Sequence, residues 1–220
     1  MPVCRSTFPR PTPVPAANLT APDNMEIDPD EFDGSIYRVL FSVVVPRPIA
    51  WISTRSPDGV DNLAPYSSFN AISTRPPTVM YASGMRDGGY KDTARNVLDT
   101  GEFVVNLVTE ATGEKMDATS AELPPDESEF EFAGVERAES VVVDAPRVAD
   151  VDVSMECTLY ETVDIGDHIV IFGEIERFHV DDRLFTDGKV DATKVDTVGR
   201  LGGPYYTDIS RSDLERQYRE

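Results

Sequence analysis

The stretch over residues 46–77 constrains the fold of this chain more than any other segment. Two extended runs, 48–53 and 63–72, flank the Pro-Asp-Gly sequence at 57–59. Proline, aspartate and glycine favour turns, and extended runs on either side of such a turn predict a β-hairpin. The chain is therefore expected to be mainly β.

Polar side chains fall on both faces of the second run of this hairpin. With a period of two, Ser67 and Phe69 share one face, while Ser68 and Asn70 share the other. A strand that only filled a core would carry apolar residues along one face. Ser67, Ser68 and Asn70 therefore indicate hydrogen bonds to a bound molecule or at bends. Ordinary edge-strand polarity explains the same pattern equally well.

Several short motifs follow one another along the chain. They are R-P-I-A at 47–50 with Ser53 and Thr54, the Gly59 turn with N-L-A-P-Y-S-S-F-N at 62–70, K-D-T at 91–93, and the segments 100–106, 166–174 and 199–203. In this order they resemble the flavin reductase-like family of FMN-binding split barrels, over about residues 32–207. The resemblance implies a mainly β chain with a few helices, folded as an FMN-binding split β-barrel of Greek-key type.

The resemblance also implies which residues hold the flavin. Lys91, Asp92 and Thr93 match the family element near the flavin's phosphate and ribityl chain. A helix N-terminus there would add partial positive charge, although a helix cap beside a solvated lysine explains the residues without a ligand. Arg47 is assigned to the anionic end of the flavin, with a salt bridge that holds the hairpin as the alternative. The remaining assigned residues are Ser53, Thr54, Ser67, Ser68, Asn70 and Ser83.

His168 is the candidate catalytic residue. It follows the Gly166-Asp167 turn and opens an apolar run, where a histidine is commonly a polar strand-end residue. The resemblance instead implies a position near the flavin face and the nicotinamide, for substrate contact or proton delivery. His179, at the far end of the same run, matches no motif and is expected to be structural.

The implied chemistry belongs to the cofactor, because FMN carries the hydride and the protein supplies binding and orientation. No G-x-G-x-x-G sequence follows a predicted strand, so NADH or NADPH is expected only as a transient cosubstrate. The resemblance implies a homodimeric flavin reductase that serves a partner oxygenase or another electron acceptor. A non-enzymatic FMN carrier or storage protein, and a barrel that has lost the flavin, remain open.

The rest of the chain gives a coarse order of elements. Strands are predicted at 78–83, 102–108 and 151–163, and helices at 111–118 after Thr109 and between an Asp92 or Thr93 cap and Gly101. Ala94, Val97 and Leu98 form the apolar stripe of the latter helix. The segment 129–148 is expected to cover the barrel, and the family often places such a segment over the flavin. Tyr205 or Tyr206 either borders the flavin or packs as part of a C-terminal tail.

The charge balance argues against nucleic acid as a partner. Forty acidic residues against 20 basic ones give a formal net charge of −20, which would repel a phosphate backbone. Adaptation to high salt explains such an acidic surface better than an acidic binding face does, because dense carboxylates keep a protein hydrated while salt screens their repulsion. We therefore expect a halophilic protein.

Cysteine content and the two ends of the chain complete the predictions. Cys4 and Cys157 cannot form a disulfide framework or a metal-ligand spacing, which favours a reducing, cytoplasmic location without a bound metal. No run approaches the ~18 apolar residues of a membrane span. Residues 1–24, with six prolines, are predicted to be a disordered tail, with Met25 as an alternative start. The barrel domain then spans 25–207, and 208–220 is a charged tail with a surface helix from residue 210.

Overall fold

The computed structural model describes residues 25–86, 89–210 and 212 of the chain. The chain divides into two units, residues 1–36 and 37–220. In the first unit, a turn is closed by the Glu31 amide, which donates to the Asp28 carbonyl over 3.2 Å. The predicted disordered tail at 1–24 lies outside the described residues, as does nearly all of the predicted C-terminal helix.

Helices and strands alternate irregularly along the described residues. The helices are α1 (Ile36–Val43), α2 (Asp92–Thr100), α3 (Gly113–Ala118) and α4 (Glu129–Phe132), with 3₁₀ turns at Glu110–Thr112 and Asp182–Leu184. The strands are β1 (Arg47–Pro48), β2 (Ala50–Arg55), β3 (Asp61–Tyr66), β4 (Phe69–Thr74), β5 (Pro77–Gly84), β6 (Glu102–Leu107), β7 (Arg137–Ala138), β8 (Arg147–Val148), β9 (Val153–Ile165), β10 (His168–Val180), β11 (Phe185–Thr186), β12 (Lys189–Val190), β13 (Val198–Arg200) and β14 (Tyr206–Asp208). The predicted mainly β chain with a few helices is confirmed.

The main sheet closes on itself because its two outer strands are consecutive in the chain. Its order is β3-β2-β6-β9-β10-β5-β4, and neighbouring strands are antiparallel. Only Ser67 and Ser68 separate β3 from β4. Because so short a link spans at most about 10 Å, the two edges of the sheet must approach each other. The Ala82 amide donates to the Ser68 carbonyl over 2.9 Å and ties this corner to β5.

The predicted second run at 63–72 is therefore two strands rather than one. β3 pairs with β2, whereas β4 pairs with β5, and the chain bends at Ser67 and Ser68 between them. The bend takes Asn70 to the exposed outer strand β4. The sequence left two roles open for Ser67 and Ser68, at a bend or in contact with a bound molecule. The backbone shows that both lie at a bend.

The interior of the barrel is apolar and contains a short stack of rings. The ring centroids of Tyr66 and Tyr81 lie 4.9 Å apart, and those of Tyr81 and Phe103 lie 5.5 Å apart. Neighbouring strands and helix α2 add further buried side chains to this core, namely Ala50, Ile52, Val79, Ala94, Val97, Val105, Met155, Cys157, Ile169 and Ile171. Cys157 is thus a core residue, while Cys4 lies outside the described part of the chain.

A second core lies on the outer face of the barrel, beneath the predicted covering segment. Trp51 points away from the barrel interior and packs with Phe130, Val135 and Val148 of that segment. The Trp51 indole Nε1 donates to Thr119 Oγ1 over 2.8 Å. The segment at 129–148 therefore covers the outside of β2 and β3.

Helix α2 begins one or two residues earlier than the sequence predicts, because the predicted cap is Asp92 or Thr93. Its N-cap is Lys91, with extended backbone and no capping side-chain bond, so Asp92 and Thr93 lie inside the first turn. At the other end Gly101 has a φ of 76°, and its amide donates to the Val97 carbonyl, as the sequence predicts. Leu98, predicted in the apolar stripe, is exposed.

Candidate functional site

A cleft of about 390 Å³ opens between the start of α2, strand β3 and the segment at 119–125. Its size falls within the ~300–1,000 Å³ range of small-molecule pockets. Its lining residues are Asn62, Ala64, Pro65, Tyr66, Arg86, Tyr90, Lys91, Asp92, Thr93, Arg95, Thr119, Ser120, Ala121, Glu122, Leu123, Pro125 and Glu129. The predicted residues Lys91, Asp92 and Thr93 thus meet in one cleft.

The start of α2 makes one side of this cleft suitable for an anion. Backbone amides in the first turn of a helix lack intrahelical partners and carry partial positive charge. Asp92 forms an ion pair with Arg95. Lys91 is exposed, and within the described part of the chain its ammonium group forms no ion pair. Lys91 is therefore the cation that the cleft leaves available.

A buried network of hydrogen bonds forms the floor beneath Lys91. Thr93 Oγ1 donates to Asn62 Oδ1 over 2.6 Å, and Asn62 Nδ2 donates to Glu129 Oε2 over 2.8 Å. Asn96 Nδ2 donates to Thr54 Oγ1 over 3.0 Å, and Thr54 Oγ1 lies 3.4 Å from Asn62 Oδ1. The network joins α2 to β2, β3 and α4, so it fixes the position of the helix start.

Two members of this floor, Asn96 and Glu129, are not among the site residues predicted from the sequence. Asn62 stands in the N-L-A-P motif, but no motif includes Glu129, which is 67 residues away along the chain. With 40 acidic residues, the sequence offers no signal that singles out one buried carboxylate.

Tyr66 separates the cleft from the barrel interior, and Ser83 lies behind it. Burial raises the pKa of the Tyr66 hydroxyl, and this outweighs the opposing effect of the neighbouring Thr93 and Ser83 hydroxyls. Ser83 Oγ is buried without a hydrogen bond of good geometry, although it is close enough to act on Tyr66. The predicted residue Ser83 therefore does not line the cleft.

Ser53 and Thr54 are fully buried and lie on opposite sides of β2. Ser53 Oγ donates to the Pro146 carbonyl over 2.5 Å and accepts from Asn106 Nδ2 over 3.1 Å, on the side of the covering segment. Thr54 lies behind Asn62, inside the network described above. The structure therefore brings Thr54, but not Ser53, close to the cleft.

Arg47 is bonded to protein groups on several sides. Its guanidinium donates to the carbonyls of Phe41 over 2.7 Å, Val44 over 3.0 Å and Leu201 over 3.2 Å, and to Ser67 Oγ over 3.4 Å. Burial, followed by the nearby Arg200 charge, lowers the pKa of Arg47. The hairpin is thus held by these neutral acceptors instead of the salt bridge considered from the sequence.

A second cavity of about 200 Å³ adjoins the cleft and shares Pro65 and Ser120 with it. Its other lining residues are Ile49, Ser67, Met116, Asp117, Arg200 and Tyr206. The Tyr206 hydroxyl donates to Asp117 Oδ1 over 2.7 Å, and burial raises its pKa to about 12. Of the two tyrosines considered from the sequence, Tyr206 lines this cavity, whereas Tyr205 is largely exposed.

The other predicted residues lie outside both cavities. Asn70 is exposed on β4, where its Oδ1 accepts from the Ala71 amide over 2.8 Å, and Ser68 lies in the bend before it. His168 Nδ1 lies 2.7 Å from Asp167 Oδ1, and this contact lowers the pKa of Asp167. The His168 ring packs beside Gly84, at the end of the strand that leads to Arg86.

His179 lies at the other end of β10, away from this group. Its Nε2 is 2.5 Å from Oε1 of Glu156, a carboxylate with no exposed surface. No cluster of three or more His, Cys, Asp or Glu side chains among the described residues is arranged to hold a metal ion. In the same part of the chain, every helix is too short or too polar to cross a membrane.

Comparison with known proteins places these features in a family. The model of the flavin reductase like domain matches residues 42–194. An uncharacterized protein of Aquifex aeolicus is 46% identical over 185 residues, which cover 83% of this chain and 94% of that protein.

Solved structures agree with this match. Nitrilotriacetate monooxygenase component B from Bacillus cereus is 32% identical with a TM-score of 0.82, covering 91% of this chain and 100% of that one. A Shewanella frigidimarina protein with a split barrel domain is 25% identical with a TM-score of 0.77, covering 90% and 100%. The predicted split-barrel fold is thereby confirmed. These likenesses support flavin binding and flavin-dependent oxidoreduction in general. The chain therefore belongs to the flavin reductase-like domain family.

Proposed function

We propose that the protein is an NAD(P)H-dependent FMN oxidoreductase whose cleft holds the flavin phosphate at the start of α2. The observation that carries this proposal is the convergence of Lys91 and the first-turn amides of α2 in one cleft. In a chain with a net charge of −20, a pocket with an available cation favours an anionic ligand locally.

The donor groups of the cleft fit a phosphate monoester. Lys91 supplies a charged donor, and the start of α2 supplies backbone N–H groups. The Thr93 hydroxyl is already donated to Asn62, so Thr93 supports the floor and offers its amide rather than its side chain. Asp92 is paired with Arg95, which limits its repulsion of an anion.

The adjoining cavity offers surfaces for a planar ring system. Ile49 and Met116 provide apolar contacts, while Ser67 and Arg200 provide polar groups beside them. We assign the remaining predicted residues, which include Arg47, Ser53, Thr54, Ser68, Asn70 and Ser83, to the support of these contact groups. The hydrogen bond of Arg47 holds the bend, that of Ser53 holds the covering segment, that of Thr54 holds the cleft floor, and that of Asn70 lies on the outer strand β4.

Bound FMN would supply the hydride acceptor, and the residues of this chain would bind and orient the reactants. The reduced nicotinamide is proposed as a transient cosubstrate. If His168 donates its Nδ1 proton to Asp167, its Nε2 is left as an acceptor in the neutral ring. We propose this nitrogen as the group that contacts the substrate or exchanges a proton with it.

An absorbance experiment tests this function directly. The purified protein is incubated with FMN, freed of unbound flavin and titrated with NADH and then NADPH without oxygen. Bleaching of the flavin band by either nucleotide supports the reductase. A flavin band that neither nucleotide bleaches supports the FMN carrier instead, and a protein that never binds FMN contradicts both.

Replacing Lys91 with alanine is expected to weaken FMN binding about ten-fold or more, because a charge-assisted hydrogen bond contributes ~1.5–3 kcal/mol. The affinity for riboflavin, which lacks the phosphate, should not change. Flavin fluorescence titrations measure both constants, and Lys189→Ala, on exposed strand β12, is the control. Equal FMN affinity in Lys91→Ala and the unchanged protein would remove Lys91 from the phosphate site.

Replacing His168 with alanine should slow steady-state turnover at least ten-fold while leaving FMN affinity nearly unchanged. His168 lies outside the cleft that holds the phosphate in our proposal, so its loss affects the cosubstrate step rather than flavin retention. Rates of NADH and NADPH oxidation, together with an FMN titration, measure the two effects. A variant as fast as the unchanged protein would exclude His168 from the mechanism.

We also propose a homodimer and transfer of reduced flavin to an oxygenase or another electron acceptor. The likeness to a monooxygenase component supports the oxygenase. Exposed apolar side chains such as Tyr160, Ile165 and Phe178 on β9 and β10 support contact with another protein surface. Light scattering during size-exclusion chromatography measures the mass in solution. A mass of two chains supports the dimer, and a mass of one chain contradicts it.

A further inference from the structure

Arg86 and Glu122 form an ion pair that joins two walls of the cleft. Arg86 Nη2 lies 2.5 Å from Glu122 Oε1, and both side chains line the cleft. Arg86 follows β5, whereas Glu122 belongs to the segment at 119–125. The side chains are 43% and 69% exposed, so water competes for both partners.

The other charged groups of the cleft are held differently. Asp92 and Arg95 are adjacent on α2 and pair with each other. The buried Glu129 carboxylate accepts from Asn62 Nδ2 and the Leu63 amide, so it is not available to Arg86. Arg86 is therefore a cation of the cleft whose acidic partner is exposed and replaceable.

We propose that Glu122 competes with the ligand for Arg86, and that the phosphate monoester of a flavin nucleotide displaces this carboxylate and binds the guanidinium. This inference rests on the proposed FMN site. Exposed ion pairs contribute little to stability, whereas guanidinium binds phosphate oxygens through paired, charge-assisted hydrogen bonds. Exchange would bring Arg86 and Lys91 to one phosphate. Arg86 would then favour flavin nucleotides over riboflavin, which has no phosphate to drive the exchange, and Glu122 would weaken the binding of the nucleotides alone.

Replacement of Glu122 should tighten FMN binding, whereas loss of a residue that binds the ligand would weaken it. Glu122→Gln removes the competing charge, and its dissociation constant for FMN should fall about five-fold. The dissociation constant for riboflavin should remain within about two-fold of the unchanged protein. Glu136→Gln is the matched control, because Glu136 is exposed and does not line the cleft. Flavin fluorescence titrations at one ionic strength give all of these constants.

A second variant shows whether the gain in FMN affinity depends on Arg86. Arg86→Gln should weaken FMN binding about ten-fold. The double variant with Glu122→Gln should bind FMN no more tightly than Arg86→Gln alone. A full gain in the double variant would overturn the exchange.

The outcomes separate this inference from the function on which it rests. Unchanged FMN affinity in Glu122→Gln overturns the exchange while the FMN site stands. An equal gain for riboflavin, or in Glu136→Gln, also overturns it, because the effect would then be general. Absence of FMN binding by the unchanged protein overturns the exchange and the proposed function together.

Discussion

Replacing Glu156 with alanine is expected to lower the free energy of unfolding by about 3–5 kcal/mol, because each buried donor that loses its acceptor costs about 1–3 kcal/mol. Glu156 has no exposed surface, and its carboxylate accepts from the amides of Val141 over 2.8 Å, Val142 over 2.6 Å and Val143 over 3.1 Å. His179 completes the set at 2.5 Å. Alanine would leave these donors without their acceptor.

The effect is large because one carboxylate holds a loop that lacks regular structure. Residues 139–146 form neither helix nor strand, and Val143 and Ala145 pack against Val104 from this loop. Chain ordering is costly, at about 1–2 kcal/mol per residue of backbone, so an irregular loop requires specific anchors. Urea unfolding at pH 7 measures the loss. Glu161→Ala, at an exposed position on the same strand, is the control.

The contribution of Glu156 should depend on pH in a defined direction. Burial raises the pKa of this carboxyl, but the amides of Val141, Val142 and Val143 with His179 outweigh burial and bring it below the ordinary 4.5. A carboxyl with a lowered folded pKa stabilises the fold fully above its unfolded pKa, and this stability is lost as the pH falls through the folded value. The stability gap between the unchanged protein and Glu156→Gln should therefore shrink as the pH falls below the ordinary carboxyl value of 4.5. A gap that widens in acid would contradict this assignment.

Local sequence signals predicted the strands and helix ends that depend on neighbouring residues. The αL residue Gly101, the strand at 78–83 and the long strand β9 all follow from turn chemistry and alternation. The break at Ser67 and Ser68 does not, because alternation continues across it and only closure of the sheet requires the bend. Likewise, Lys91 became the N-cap although Asp92 and Thr93 are better capping residues, since Thr93 bonds to Asn62 instead.

Part of the candidate site was also predictable, because some of its residues are neighbours in the sequence. Lys91, Asp92 and Thr93 are contiguous, so one motif locates them together in the cleft. Arg86 and Glu122 are distant in the sequence and meet only across the folded cleft. Such pairs follow from tertiary structure, because acidic residues are too frequent in this chain for any one to be distinctive.

Replacing Glu129 with leucine is expected to destabilise the fold by about 2–5 kcal/mol and to weaken FMN binding about ten-fold. The Glu129 side chain is buried, and its Oε2 accepts from Asn62 Nδ2 over 2.8 Å and from the Leu63 amide over 3.0 Å. Leucine leaves both donors buried and unpaired, at a cost of about 1–3 kcal/mol each. Asn62 would then lose the contact that aims its Oδ1 at Thr93, and the start of α2 would lose its support.

Matched variants separate the structural effect of Glu129 from its effect on the cleft. Glu129→Gln retains a carbonyl acceptor at the same position, so it should recover most of the stability and FMN affinity that Glu129→Leu loses. Glu127→Leu, at an exposed position two residues earlier, should change neither quantity appreciably. Urea unfolding and FMN titration are measured on each variant at a temperature where all remain folded. If Glu129→Leu loses stability but binds FMN as tightly as the unchanged protein, the network supports the fold without positioning the phosphate site.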